Sequence, residues 1–243
     1  MVKITIMGAS GTIGKTVAFN LAEKDVIDEI IMFSRPASHE RVKGEILDMY
    51  DALAAEDIDC ELKASSDYAD LAGSSIVLIT SGVPRKEGMS RLDLAVPNSK
   101  IVQEYSKQIA IHAPDSVILI VTNPVDVMTY LVRKYSKFPA GKVIGSGTML
   151  DTSRLAYLLS HKLDVNIKDI NAYVLGEHGD SSFAVWSSAK VGSVLIKNII
   201  PKEELGILED KVKHMAYKII ELKGETSYGI GMCLVSITNA ILN

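Results

Sequence analysis

Cysteine is scarce in this chain. Cys60 and Cys233 are its two thiols, far apart and without metal-ligand spacing. They predict a reducing, cytoplasmic setting. Basic residues are not in excess: 26 Lys and Arg stand against 30 Asp and Glu, a net charge of −4. That excludes a general attraction to nucleic acid or an anionic membrane. Long apolar runs are missing, since the longest purely aliphatic stretch, Val117–Val121, falls far short of the roughly 20 residues of a membrane span. Met1-Val2-Lys3-Ile4 enters a strand pattern at once, which predicts no signal peptide. His39, His112, His161, His178 and His214 show no paired ligand spacing, so no metal site is expected. Repeats, low-complexity segments and Pro/Ser-rich linkers are also absent. What remains is 47% hydrophobic and 23% charged, ordinary for a globular chain of one large or two small domains.

Short apolar runs alternate with amphipathic ones. Val2–Met7, Glu29–Phe33, Ile76–Thr80, Val117–Val121 and Lys142–Ile144 are apolar at consecutive positions, as strands with both faces covered are. Helices are expected over Thr12–Lys24, on Ile13, Val17 and Leu21. Another is expected over Leu92–His112, along Leu92, Ala95, Ser99, Val102, Tyr105 and Ile109. This alternation predicts an α/β fold with a parallel sheet wound by helices on both sides. After Leu163 the texture changes. Strands are expected at Asn171–Leu175 and Phe183–Ala189. A helical stripe follows on Leu205, Leu208, Val212, Met215, Ile219 and Leu222, ended by Gly224. Ile230–Leu242 is apolar on nearly every face and is expected to be buried, yet nothing after Asn243 covers it. A shortened chain, a partner, or cover from earlier segments would each account for that.

Gly8-Ala9-Ser10-Gly11-Thr12-Ile13-Gly14 joins the first strand to the first helix. In a dinucleotide site Gly8 permits the tight turn, Gly11 the approach of a pyrophosphate, and Gly14 close helix–strand packing. The helix N-terminus adds N–H donors and partial positive charge. The second strand ends in Ser34-Arg35 where an acid would bind a ribose 2′-hydroxyl. Serine removes that repulsion and arginine suits a 2′-phosphate, so the pair leans to NADP, or to use of both NADP and NAD.

Three stretches follow strands or pair with one another. Ser81-Gly82-Val83-Pro84-Arg85-Lys86-Glu87-Gly88-Met89-Ser90-Arg91 combines glycines with cations, as a lid gripping an anionic substrate needs. Val121-Thr122-Asn123-Pro124-Val125-Asp126 follows another strand. Leu150-Asp151-Thr152-Ser153-Arg154 sets an acid and a guanidinium on one helix face and pairs with Gly176-Glu177-His178-Gly179-Asp180.

In this order and combination the motifs resemble the lactate/malate dehydrogenase family, most of all its archaeal malate dehydrogenases, from Val2 to the end. The resemblance implies a Rossmann doubly wound domain over 1–145 and a smaller α+β substrate domain over 146–243 that looks incomplete. It implies reversible hydride transfer between malate or oxaloacetate and NAD or NADP. His178 would exchange the hydroxyl proton, Asp151 orient the imidazole, and Arg154 grip the C1 carboxylate. Arg91 would polarise the carbonyl, and Asn123 and Thr226 lie near substrate and nicotinamide. Beyond the glycine loop, Ser34 and Arg35, cofactor contacts are implied at Thr80, Ser81, Gly82, Asn98, Val121 and Asn123. Arg85 stands where malate enzymes carry arginine and lactate enzymes commonly glutamine, which favours a dicarboxylate substrate. Relatives are commonly homodimers or homotetramers. The sequence around Phe183–Ser187 and at Thr226 has a lactate-enzyme character, so a lactate dehydrogenase is the alternative of the same class. Relatives run on past the position of Asn243, and the alternative of another class is an inactive nucleotide-binding fragment.

Overall fold

The computed structural model describes residues 1–83 and 92–243. They form two compact units, Met1–Ser146 with Ile230–Asn243, and Gly147–Gly229. The last helix, which the sequence division put with the second unit, packs with the first.

The first unit runs β1 (Lys3–Met7), α1 (Thr12–Ala22), β2 (Glu29–Phe33), α2 (His39–Ala55), β3 (Glu61–Ser65), β4 (Ile76–Ile79), α3 (Ala95–His112), β5 (Val117–Ile120), α4 (Val125–Ser136) and β6 (Val143–Gly145). Its six strands pair in the order β3-β2-β1-β4-β5-β6. Every pairing is parallel. This is the doubly wound order, whose topological switch point lies between β1 and β4. The apolar runs are buried as expected: every residue of β4 is buried, and so are Ile4–Met7 of β1. Each such Ile, Leu or Val contributes about 1.5–3 kcal/mol by leaving water. The edge strand β3 differs, with Glu61 and Lys63 exposed and Leu62 and Ser65 buried. Val102, Tyr105 and Ile109 of α3 and Met128 and Val132 of α4 pack on the sheet residues Val77, Ile79, Ile118 and Ile120. On α3 the buried stripe passes through Asn98, not through Ser99 as the sequence reading had it.

The second unit holds α5 (Met149–Leu163), β7 (Ile170–Asn171), β8 (Val174–Leu175), β9 (Phe183–Ala184), β10 (Lys190–Val191), β11 (Val194–Leu195) and α6 (Lys202–Lys223). β11, β10 and β7 form one small antiparallel sheet, and β8 and β9 a hairpin. The strands are far shorter than the sequence stretches that predicted them. Leu155 and Leu159 of α5 pack with Val174, Ala184, Ile196, Leu205, Leu208 and Val212. The α6 stripe is buried only in its first half, and Leu222 is 73% exposed. Gly224, at φ +88°, ends α6 and donates its N–H to Ile220 O at 2.8 Å.

The last helix, α7 (Tyr228–Leu242), buries Ile230, Gly231, Cys233, Leu234, Val235 and Thr238. The helix is buried as expected, and earlier residues supply cover, one of the accounts the sequence left open. A Cβ at Gly231 would stand 2.9 Å from Thr16 Cγ2 of α1. Met232 is 52% exposed. Among the described residues no helix is long and apolar enough to cross a membrane.

Candidate active site

The glycine loop leaves β1 beside the ends of β2 and β4. Gly8 and Ala9 donate their N–H groups to Phe33 O, at 3.0 and 3.1 Å. Gly8 has φ +107°, and a Cβ there would stand 2.6 Å from Ser81 N. A Cβ at Gly14 would meet Gly8 O at 2.4 Å, so these two glycines are demanded by the protein's own packing. Gly11 is different: a Cβ would meet only Gly8 O, at 3.4 Å. No internal contact requires glycine there, which fits a position kept bare for a ligand. No side chain caps α1, and its first turn carries no acid. Ser10, Thr12 and Ile13 thus border a helix N-terminus suited to a pyrophosphate. Thr80 donates its Oγ1–H toward Met7 O at 3.2 Å, and Thr80 and Ser81 each donate their N–H to the same carbonyl at 3.0 Å.

Past β2, Ser34 is buried and its N–H donates to Ser65 O at 2.9 Å. Arg35 is exposed and has no ion-pair partner among the described residues. Arg41, a second cation nearby in sequence, lies 3.8 Å from Glu45, which also takes Lys15 at 3.0 Å. Tyr68 stacks on Phe33 with ring centroids 4.9 Å apart. Burial first, then Tyr105 and Glu104, push its phenol up to about 12, so it stays neutral.

The loops after β4 and β5 are tied together. Val83 N–H donates to Asn98 Oδ1 at 2.8 Å, and Asn98 Nδ2 donates to Asn123 O at 2.7 Å. Thr122 Oγ1 donates to Ser81 O at 2.7 Å. Val121 is buried and donates its N–H to Ile79 O at 3.0 Å. The Asn123-Pro124 bond is cis. Among the described residues Asn123 Oδ1 is buried with no hydrogen-bond partner, an acceptor suited to a ligand N–H or O–H.

In the second unit His178, Asp151 and Arg154 meet. His178 Nδ1 lies 2.5 Å from Asp151 Oδ2, and Arg154 Nη1 donates to Asp151 Oδ1 at 3.3 Å. The side chains of Asp151 and Arg154 are only 7% and 9% exposed, that of His178 15%. A carboxylate only accepts, so Nδ1 carries the proton in this contact. Asp151 sits in the first turn of α5, where the helix dipole favours an anion. His178 rides on the hairpin loop between β8 and β9, opened by Gly176 at φ +96°. Two threonines fasten that hairpin to α5. Thr148 Oγ1 donates to Val174 O at 2.7 Å, and Val174 N–H donates to Thr152 Oγ1 at 3.0 Å. Sequence reasoning missed these fasteners, and it gave Asn98 as a cofactor contact without its two hydrogen bonds. For Asn98 a signal existed, since it shares the helix face of Val102, Tyr105 and Ile109. Thr226 is half-buried between α6 and α7. Arg85 and Arg91 lie outside the described residues.

Comparison with known proteins agrees with this layout. Residues 2–145 match the lactate/malate dehydrogenase NAD binding domain, and residues 148–243 the lactate/malate dehydrogenase alpha/beta C-terminal domain. The malate dehydrogenase of Methanosphaera stadtmanae is 69% identical over 100% of this chain and 77% of its own length. That of Methanothermobacter thermautotrophicus is 40% identical over 99% of this chain and 77% of its own. Among solved structures, malate dehydrogenase from Aeropyrum pernix superposes with TM-score 0.91 at 38% identity, over 98% of this chain and 76% of that one. The minor L-lactate dehydrogenase of Enterococcus mundtii superposes with TM-score 0.92 at 35% identity, over 100% and 78%.

Proposed function

The chain belongs to the lactate/malate dehydrogenase family, and from that premise we infer that it interconverts malate and oxaloacetate with a nicotinamide dinucleotide. The observation that carries the chemistry is the buried Asp151 carboxylate, shared between His178 and Arg154. When bound in the glycine-loop domain, NAD(H) supplies the hydride exchange. The chain supplies the proton and the grip. In malate oxidation His178 Nε2 takes the C2 hydroxyl proton, and Asp151 stabilises the imidazolium. In oxaloacetate reduction the same proton returns. Arg154 pairs with the C1 carboxylate through its planar fork of donors. Arg91 answers the developing alkoxide, and Arg85 the second carboxylate. Asn123 offers its unpartnered Oδ1 to a donor at the reacting end, and Thr226 adds a small polar side chain there.

The finer cofactor reading is NADP(H) use alongside NAD(H). It is supported by the missing acid at Ser34 and by the exposed Arg35 beside it, which has no ion-pair partner among the described residues. We also place the working enzyme in the cytoplasm as a homodimer or homotetramer. Leu47, Val96 and Ile111, each more than two-thirds exposed, are apolar side chains that subunit contact would cover.

The test is nicotinamide absorbance on mixing the chain with oxaloacetate or pyruvate and NADPH or NADH. Oxaloacetate-dependent oxidation supports the reading. Preference for pyruvate would make the enzyme a lactate dehydrogenase, and binding without turnover would leave only a nucleotide-binding protein.

A further inference from the structure

We propose that Asn98 is a positioning residue, a brace that sets Asn123 through its backbone. The proposal deepens the functional reading above and rests on it. Asn98 is 1% exposed, on the face of α3 that packs on the sheet. Its amide works from both ends on two different loops. The oxygen takes Val83 N–H at 2.8 Å, after β4, and the nitrogen donates to Asn123 O at 2.7 Å, after β5. Gly82 makes room for this, since a Cβ there would stand 3.3 Å from Asn98 Nδ2. Among the described residues Asn123 Oδ1 is buried with no partner of its own, so no hydrogen bond from them fixes that acceptor. Its place depends on the backbone of Asn123, which Asn98 holds. Thr122 straps the same two loops a residue earlier, through Ser81 O and Ile79 O. The brace thus lies at the end of a stiff connection from α3.

The test compares Asn98→Asp and Asn98→Ala with the unaltered chain. Asp keeps an acceptor for Val83 N–H but sets an oxygen against Asn123 O, and Ala removes both bonds. Small displacements of a reacting group cost large factors in rate, so Asn98→Asp should lower kcat with oxaloacetate about 10–100-fold while the NADH Kd stays within about twofold. Asn98→Ala should show the same split. A direct cofactor ligand would give the reverse: Kd weakened about tenfold or more with kcat at saturating NADH near that of the unaltered chain, and this would overturn the proposal. A general loss of fold would lower the melting temperature and both parameters together. The side-chain amide protons of Asn98 in the unaltered, cofactor-free chain give an independent reading by NMR exchange. Slow exchange is expected, and exchange as fast as that of exposed asparagines would overturn the brace. If the unaltered chain does not reduce oxaloacetate, the functional reading fails, and the exchange measurement still decides the brace.

Discussion

His178 Nδ1 and Asp151 Oδ2 lie 2.5 Å apart, across 27 residues of sequence. The contact fixes which ring nitrogen holds the proton. Asp151→Asn keeps the shape but can donate its amide N–H to Nδ1, which moves the ring proton to Nε2. The imidazole then cannot take a proton from substrate. We expect kcat for malate oxidation to fall about 10²–10⁴-fold in steady-state assays. Arg154 also loses its counter-charge, so KM for oxaloacetate should change too. A kcat within about threefold of the unaltered chain would show that Asp151 does not set the tautomer.

The glycines of the phosphate loop should separate by function. Gly14→Ala places a methyl 2.4 Å from Gly8 O, backbone that cannot swing away. It should destabilise the chain by about 1–3 kcal/mol in denaturant titrations. Gly11→Ala meets only ordinary contact at 3.4 Å and should melt like the unaltered chain, yet bind NADH more weakly. Equal melting losses in both variants would remove the distinction between packing glycine and ligand glycine.

The sheet was legible because its central strands are buried on both faces and read as apolar runs, as β4 and β5 do. β3 escaped because an edge strand is only partly buried, and the exposed Glu61 and Lys63 leave no apolar run to read. The second unit was barely legible, because strands of two residues have no periodicity to read. Motif spacing pointed to Asp151, Arg154 and His178, but their meeting depends on Thr148 and Thr152 fastening the hairpin to α5, which no local pattern announces. The burial of α7 was legible from its apolar faces, but what covers it was not. Part of that cover is α1, at the far end of the sequence, through the close approach that Gly231 allows.

Arg35 gives a cofactor prediction. A hydrogen bond to a charged group is worth about 1.5–3 kcal/mol, so Arg35→Ser should weaken NADPH binding about 10-fold or more. NADH, which lacks the 2′-phosphate, should bind as before. Ser34→Asp should shift preference further toward NADH by restoring an acid for the ribose hydroxyls. Calorimetric titration with each nucleotide checks both, and equal losses for the two nucleotides in Arg35→Ser would assign Arg35 to solvent.

The proposed reading makes substrate choice turn on Arg85, the cation six residues before Arg91. Oxaloacetate carries one carboxylate more than pyruvate. In the proposed reading Arg154 answers the carboxylate common to both, so the second needs a cation of its own. Closing a site over that second carboxylate without a partner costs about 2–5 kcal/mol, whereas pyruvate presents a methyl group and incurs no such cost. Arg85→Gln should therefore lower kcat/KM for oxaloacetate at least about tenfold more than for pyruvate, and pyruvate turnover should hold or rise. Parallel assays with both keto acids at fixed NADH read the ratio directly. Equal losses on the two substrates would mean that Arg85 serves the fold or the cofactor, and that the dicarboxylate is recognised elsewhere.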